Sequence, residues 1–182
     1  MHSQRLLTMR IIWFALLIAC FLYMVIVYVV LTPTAVPSTP QMPYFFGAVA
    51  ACIAIVSFLM PRMVYSQVAR VAKVKTKEEA ASSAFPESYR DAMPKRVVFA
   101  EPHVAMGKAY VCFMNPFVMS LAFSEAVAVF GFVIAMLGFA WQASLPFFLT
   151  GAVLIAIRFP TESTVLRMFE QAQGASFPSD KN

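Results

Sequence analysis

From Ile11 to Leu31 the chain runs for 21 residues without a charged side chain. Three more stretches of this kind follow. Tyr44–Met60 carries no charge, Phe117–Phe139 holds only Glu125, and Ala143–Phe159 holds only Arg158, close to its end. A hydrocarbon core of about 30 Å takes roughly 20 apolar residues per helical crossing, with a range of about 17–25. All four runs are long enough. Lipid offers the backbone no hydrogen-bond partners, and no alternating strand pattern is present, so each run reads as a helix. The fold class is therefore all-α: one integral membrane domain over 1–182, with four transmembrane helices near 11–31, 44–60, 117–139 and 143–159. Composition agrees, with 60% hydrophobic and 13% charged residues, against about 45–50% and about 25% in soluble domains.

The basic residues set the topology. Arg5 and Arg10 precede the first run, and nine Lys and Arg residues lie between Pro61 and Pro116. Arg158, Arg167 and Lys181 close the chain. The connections at 32–43 and 140–144 carry no charge. All 14 basic residues thus fall on one side of a four-span arrangement. The positive-inside tendency makes that side the cytoplasm. The loop 61–116, the tail 160–182 and both termini are then cytoplasmic, as in a multi-pass protein of the inner (plasma) membrane. The first run exceeds the apolar core of a signal peptide, about 7–15 residues, and no A-x-A site follows it, so it reads as a retained span. The net charge of +5 suits an anionic lipid surface at the cytoplasmic face. No nucleic-acid motif accompanies the basic residues, which are mixed with acidic ones.

Between the spans the reading is coarser. After Pro61, "RMVYSQVARVAKVKTKEEAA" reads either as a basic amphipathic helix that continues the span, with Val64, Val68 and Val71 on one face, or as a solvated charged linker. Residues 81–102 contain Pro86, Pro94 and Pro102 and read as a loop. The third span reads as the end of one long helix that begins near Pro102 and kinks at Pro116. "TESTVLRMFEQA" predicts a short interfacial helix with Val165, Leu166 and Phe169 on one side, and "GASFPSDKN" a frayed end. Arg158, at the edge of its run, is expected to snorkel to the headgroups.

Glu125 raises the main functional question, because a charge in hydrocarbon costs about 2.5–3.5 kcal/mol on insertion scales. No cation lies deep in any span. The expectation is a largely neutral carboxyl, or one lining a small hydrated cavity. Candidate partners are the hydroxyls of Ser120, Ser124, Tyr23, Tyr28, Ser57 and Thr150. Small residues recur beside it at helical spacing: Ser124, Ala128, Gly131, Ala135 and Gly138. The second span carries a matching stripe of Gly47, Ala50, Ala54 and Ser57. Such stripes let backbones approach closely in lipid. They predict a tight pairing of spans two and three, within one chain or between copies.

"LAFSEAVAVFGFVIAML" resembles the carboxylate-bearing helix of rotary ATP synthase c subunits. The resemblance implies that Glu125 would carry a proton or ion. It covers about 17 residues. The family's first helix has a repeated Gly-x-Gly run where the second span here holds only Gly47. The whole chain looks more like the small four-span proteins of bacterial inner membranes.

Cys20, Cys52 and Cys112 form no metal or redox spacing and read as small apolar residues. His2 is terminal and His103 lies in the loop. No HExxH, P-loop, GxGxxG or nucleophile elbow is present, so no catalytic residue, metal or cofactor is assigned, and an enzyme is not expected. The reading is a membrane protein that acts by helix–helix association. Its partners would be the lipid bilayer and copies of itself, or the other subunits of a complex in which it is an accessory subunit. The alternative is a proton- or ion-handling subunit that uses Glu125.

Overall fold

In the computed structural model, which describes residues 2–30, 41–80 and 95–178, the apolar runs are helical. Helix α1 spans His2–Val29, α2 Met42–Val71, α3 Pro102–Met136 and α4 Trp141–Ala156. A hairpin of β1 (Thr76–Ala80) and β2 (Lys95–Phe99) and a helix α5 (Glu162–Gln173) complete the described elements. Among the described residues, α1, α2 and α3 are long and apolar enough to cross a membrane. Their 28, 30 and 35 residues extend about 42, 45 and 52 Å at about 1.5 Å per residue, beyond a core of about 30 Å.

Helix α4 is different. Its 16 residues reach only about 24 Å. The run expected at 143–159 starts earlier, at Trp141, and leaves the helix after Ala156. Pro160 disfavours helical backbone at the residue before it, and Ile157 and Arg158 form a turn instead. The neutral connection expected at 140–144 is displaced as well. The reversal occupies residues 137–140, and Trp141 already belongs to α4. Gly138 makes that reversal possible with φ 86°, while its N–H bonds to the Ala135 carbonyl at 3.0 Å. Left-handed backbone of this kind favours glycine.

Helix α3 is the central post. In its most apolar 18-residue stretch 44% of residues are buried, against 11% in the corresponding stretches of α1 and α2. Helix α1 packs on α3 and α4 through Met9, Cys20 and Val27, with Trp13, Leu16 and Tyr23 partly buried on the same face. Those positions step by four and three residues, so one narrow seam turns inward and the remaining apolar surface turns outward. Helix α2 turns Ala50, Ser57, Pro61, Tyr65 and Ala69 inward. Aromatic pairs cross to α3 at both ends of this seam: Phe46 with Phe130 at 5.6 Å and Tyr65 with Phe113 at 6.2 Å.

The helix does continue past Pro61 to Val71. Its buried face is Tyr65 and Ala69, however, while Val68 and Val71 of the expected apolar face are exposed. Likewise α3 begins at Pro102 and runs through Pro116.

The charged end carries more order than a loop and a frayed tail. Strands β1 and β2 pair antiparallel with Thr76 opposite Phe99. Ser176 adds a parallel bridge to Val98, and the Phe177 ring lies 4.7 Å from that of Phe99. Helix α5 opens on Thr161, whose side-chain oxygen accepts the Thr164 N–H at 3.3 Å, a standard N-cap bond. It buries Val165 and Phe169. Phe169 packs against Phe99. Gln173 Nε2 donates to the Ala69 and Ala72 carbonyls. These are carbonyls at the C-terminal end of α2, where the intrahelical bonding pattern runs out. The expected connection at 32–43 lies outside the described residues as far as 40. The same holds for 81–94 of the loop and for 179–182 of the tail.

Candidate functional site

The side chain that sequence reasoning sent outward is drawn inward. The Arg158 guanidinium enters the space between α2 and α3. It donates to the Ser57 hydroxyl at 2.8 Å, the Ser57 carbonyl at 3.1 Å and the Ser120 carbonyl at 2.9 Å. It also donates to the Ser124 hydroxyl. Its Cζ lies 4.4 Å from the centroid of the Phe58 ring. Helix α4 ends at Ala156, which leaves Arg158 level with serines on two neighbouring helices.

The serines are oriented to receive a cation. Ser57 Oγ donates its own proton to the Ala54 carbonyl at 2.6 Å, and Ser124 Oγ to the Ser120 carbonyl at 2.7 Å. Each hydroxyl proton is thus committed to its own helix, which leaves oxygen lone pairs for the guanidinium. The four bonds occupy all the terminal N–H donors of Arg158, and Nε–H lies outside the set. Neither Arg158 nor Arg62 has a carboxylate within ion-pair distance among the described residues.

The segment bearing Arg158 is held from the other side by α1. The Trp13 indole N–H donates to the Ile155 carbonyl at 2.7 Å. The Trp13 and Phe159 rings meet edge to face at 5.0 Å, and Arg10 stacks over Phe159 at 5.4 Å. Residues 155–159 therefore join α1, α2 and α3, three helices that are distant in sequence.

Glu125 faces a different neighbour. The Tyr23 hydroxyl of α1 donates to its Oε1 at 3.1 Å, and the carboxyl is half-buried in the α1–α3 seam. Of the hydroxyls expected around it, Tyr23 reaches the carboxyl, whereas Ser57, Ser120 and Ser124 belong to the arginine network. Adjacent residues on a helix point about 100° apart, so Ser124 and Glu125 face different neighbours of α3.

The small-residue stripes are also redistributed. A Cβ on Gly131 would stand 2.9 Å from Phe147 Cβ and 2.9 Å from the Ser144 carbonyl oxygen, both on α4. A Cβ on Gly151 of α4 would stand 2.9 Å from Ala128 Cβ. The stripe of Ser124, Ala128 and Gly131 therefore receives α4, while α2 packs extensively on a neighbouring face of α3 that includes Val127 and Ile134, as the expected pairing of spans two and three has it. Ala135 is buried, and Gly138 lies beyond the end of the helix, in the turn to α4. On α2, Ala50 and Ser57 are buried and Ala54 is half-buried, while Gly47 has nothing within 4 Å of its Cβ position. Of the three cysteines, all free, Cys20 and Cys112 are buried and Cys52 is exposed.

Below the arginine, toward the charged end, a cleft of ≈ 270 Å³ opens between α2, α3 and α5. Ser57, Arg62, Tyr65, Ser120, Arg158 and Thr164 supply its polar lining, and apolar side chains, mostly phenylalanine and proline, supply the rest. Tyr65 is 5% exposed, and its hydroxyl is sealed from solvent with no hydrogen-bond partner. An unmet buried hydroxyl costs about 1–3 kcal/mol. Nothing in the sequence singled out this cleft. The available signal was an arginine at the end of a short apolar run, facing serines at similar depth in two other runs.

Fold and site together define a predominantly helical protein with three helices long and apolar enough to cross a membrane, in which a half-buried arginine just after α4 joins the middle of α2 to the middle of α3. No family model matches the chain, and no curated protein or solved structure is significantly similar to it.

Proposed function

We propose that the protein is a four-span subunit of the bacterial inner membrane, with both termini in the cytoplasm. It acts by helix association, as a homo-oligomer or as an accessory subunit of a larger membrane complex. The observation that carries this reading is the open space at Gly47. Its stripe-mates Ala50 and Ser57 are buried inside the chain, yet Gly47 has no neighbour within 4 Å of its Cβ position. Gly47 and Ala51 line an open groove of ≈ 230 Å³ with Pro146 and Thr150 of α4. A small-residue groove left free by the fold suits the close approach of a second helix in lipid.

The topology is supported by contacts at the charged end. Arg5 donates to the Gly107 carbonyl at 3.1 Å, Lys108 to the Lys73 carbonyl, and Lys75 pairs with Glu101 at 3.2 Å. The start of α1, the end of α2 and the start of α3 therefore meet, and they bring basic residues to one side, next to an anionic leaflet. The test is Gly47→Leu in mild detergent, analysed by native mass spectrometry. The expected result is an intact fold with loss of the oligomer or of the co-purifying subunit. Unchanged assembly with this variant would exclude the groove as the contact.

A second reading rests on Glu125. Its carboxyl lies 11 residues from the end of α3 at Met136, which is about 16 Å and near the middle of a hydrocarbon core. Tyr23 is its hydrogen-bonded partner. A proton- or ion-handling subunit resembling the c subunits would use this carboxyl. Glu125→Gln keeps hydrogen-bonding capacity and abolishes ionisation. Normal assembly with loss of an ion-dependent activity supports this reading, and unchanged ion-dependent activity opposes it.

A further inference from the structure

We propose that the cleft below Arg158 binds the phosphate of one anionic phospholipid from the cytoplasmic leaflet. Arg62 and Arg158 supply the positive charge, and the Tyr65 hydroxyl supplies a donor. This deepens the topology proposed above, on which it rests, and it is independent of whether copies associate.

Charge is the first ground. Two arginines line the cleft, no Asp or Glu does, and neither arginine has a carboxylate at ion-pair distance among the described residues. Burying a guanidinium without a counter-charge is unfavourable, and the serines and carbonyls around Arg158 satisfy its geometry without neutralising it. A phosphate would neutralise it. Arg62 is exposed at the mouth of the cleft and free to turn toward such a group.

Unmet hydrogen bonding is the second ground. The Tyr65 hydroxyl is buried among cleft residues without a partner. Phenylalanine at that position would fill the same space at lower cost, so the hydroxyl has no role in the unliganded fold. A phosphate oxygen accepts from a phenol, from Arg158 Nε–H and from the Thr164 hydroxyl alike.

Depth is the third ground. The apolar run of α2 ends at Met60, before Pro61 and Arg62, and that of α3 opens at Phe117, after Asn115 and Pro116. Both boundaries fall within the stretch of residues that lines the cleft, from Ser57 to Tyr65 and from Phe113 to Ser120. In a bilayer this is the level at which hydrocarbon gives way to headgroups. A phosphodiester of the adjacent leaflet stands at that height, and its acyl chains can lie along the exposed apolar side of α2, where Phe58 and Leu59 project. At ≈ 270 Å³ the cleft has room for a headgroup but not for its tails.

The test uses the full chain, purified in mild detergent and titrated with phosphatidylglycerol or phosphatidylcholine. Bound lipid is counted by native mass spectrometry. The expected result is one phosphatidylglycerol retained in strong preference to phosphatidylcholine, with no displacement by millimolar inorganic phosphate. Tyr65→Phe, which removes only the unpartnered hydroxyl, should weaken retention roughly three- to tenfold. Arg62→Gln should weaken it roughly tenfold. Both variants should fold normally, because neither removed group has a partner in the unliganded structure. Equal retention of the two lipids overturns the proposal, as does full retention by both variants. Displacement by inorganic phosphate assigns the site to a soluble phosphate and overturns the lipid as occupant. Resistance of the native protein to alkaline extraction from membranes reports insertion separately, so an inserted protein indifferent to headgroup charge refutes this site alone.

Discussion

Two glycines that look equivalent in sequence should respond in opposite ways to the same methyl group. Gly131 and Gly47 each belong to a small-residue stripe in an apolar run. A methyl on Gly131 meets Phe147 Cβ at 2.9 Å, the Ser144 carbonyl oxygen at 2.9 Å and Phe148 Cε1 at 3.3 Å. Ordinary carbon–carbon contacts lie at about 3.5–4.0 Å, so the shortfall is roughly 0.6–1.1 Å. One obstacle is backbone and another is a Cβ, neither of which can rotate away, so α3 and α4 must part. Overpacking of this kind costs about 1–3 kcal/mol. Replacing glycine with alanine inside a helix also gains about 1 kcal/mol of helix propensity. That gain is shared by Gly47→Ala, which has nothing within 4 Å. Propensity therefore cancels between the two variants, and their difference isolates the steric effect, about 1–3 kcal/mol with Gly131→Ala the less stable. Unfolding of each variant by SDS in mixed micelles, followed by tryptophan fluorescence, measures that difference. Equal stability of the two variants would falsify the close packing of α3 on α4.

Three further outcomes follow from the same contacts. Arg158→Met orphans no hydroxyl, because Ser57 and Ser124 keep their bonds to their own helices. It loses four charge-assisted bonds of about 1.5–3 kcal/mol each and regains about 2.5–3.5 kcal/mol of charge burial, for a net destabilisation of at least about 2.5 kcal/mol in the same titration. Arg158→Lys, a point donor unable to span Ser57 and Ser124, should fall between the two. Trp13→Phe keeps a ring against Phe159 but loses the bond to the Ile155 carbonyl, so the loss should be about 0.5–1.5 kcal/mol. Phe99, fully buried between Phe169 and Phe177, anchors the hairpin. Phe99→Ala should cost that region about 3–5 kcal/mol and open residues 174–178 to proteolysis, while the SDS transition of α1–α4 stays unchanged.

The sequence makes the long helices legible because hydrocarbon leaves the backbone one regular solution and charge-free length marks where it applies. The extension of α2 past Pro61 and the passage of α3 through Pro116 are readable for the same reason. What escapes is whatever depends on which helix stands beside which. Gly131 and Gly47 have the same local signature, and only the return of α4 after Gly138 fills one and leaves the other open. The fate of Arg158 turns on α4 ending at Ala156, which leaves the side chain level with Ser57 and Ser120 on its neighbours. The serines offered to Glu125 were correctly seen as buried donors and acceptors but were matched to the wrong charge, since adjacent positions on α3 face different neighbours. The hairpin is illegible because its strands are short and β1 is polar, and its buried Phe99 finds its partners only when α5 and Phe177 fold back.

The whole account depends on which side of a bilayer the helix ends lie. With Cys20, Cys52 and Cys112 replaced by alanine, His103→Cys and Ala140→Cys place single thiols at opposite ends of α3. A membrane-impermeant maleimide applied to intact spheroplasts should label the thiol at 140 and should reach the one at 103 only after the membrane is opened. Labelling of position 103 from outside, or of both positions without permeabilisation, would contradict the arrangement.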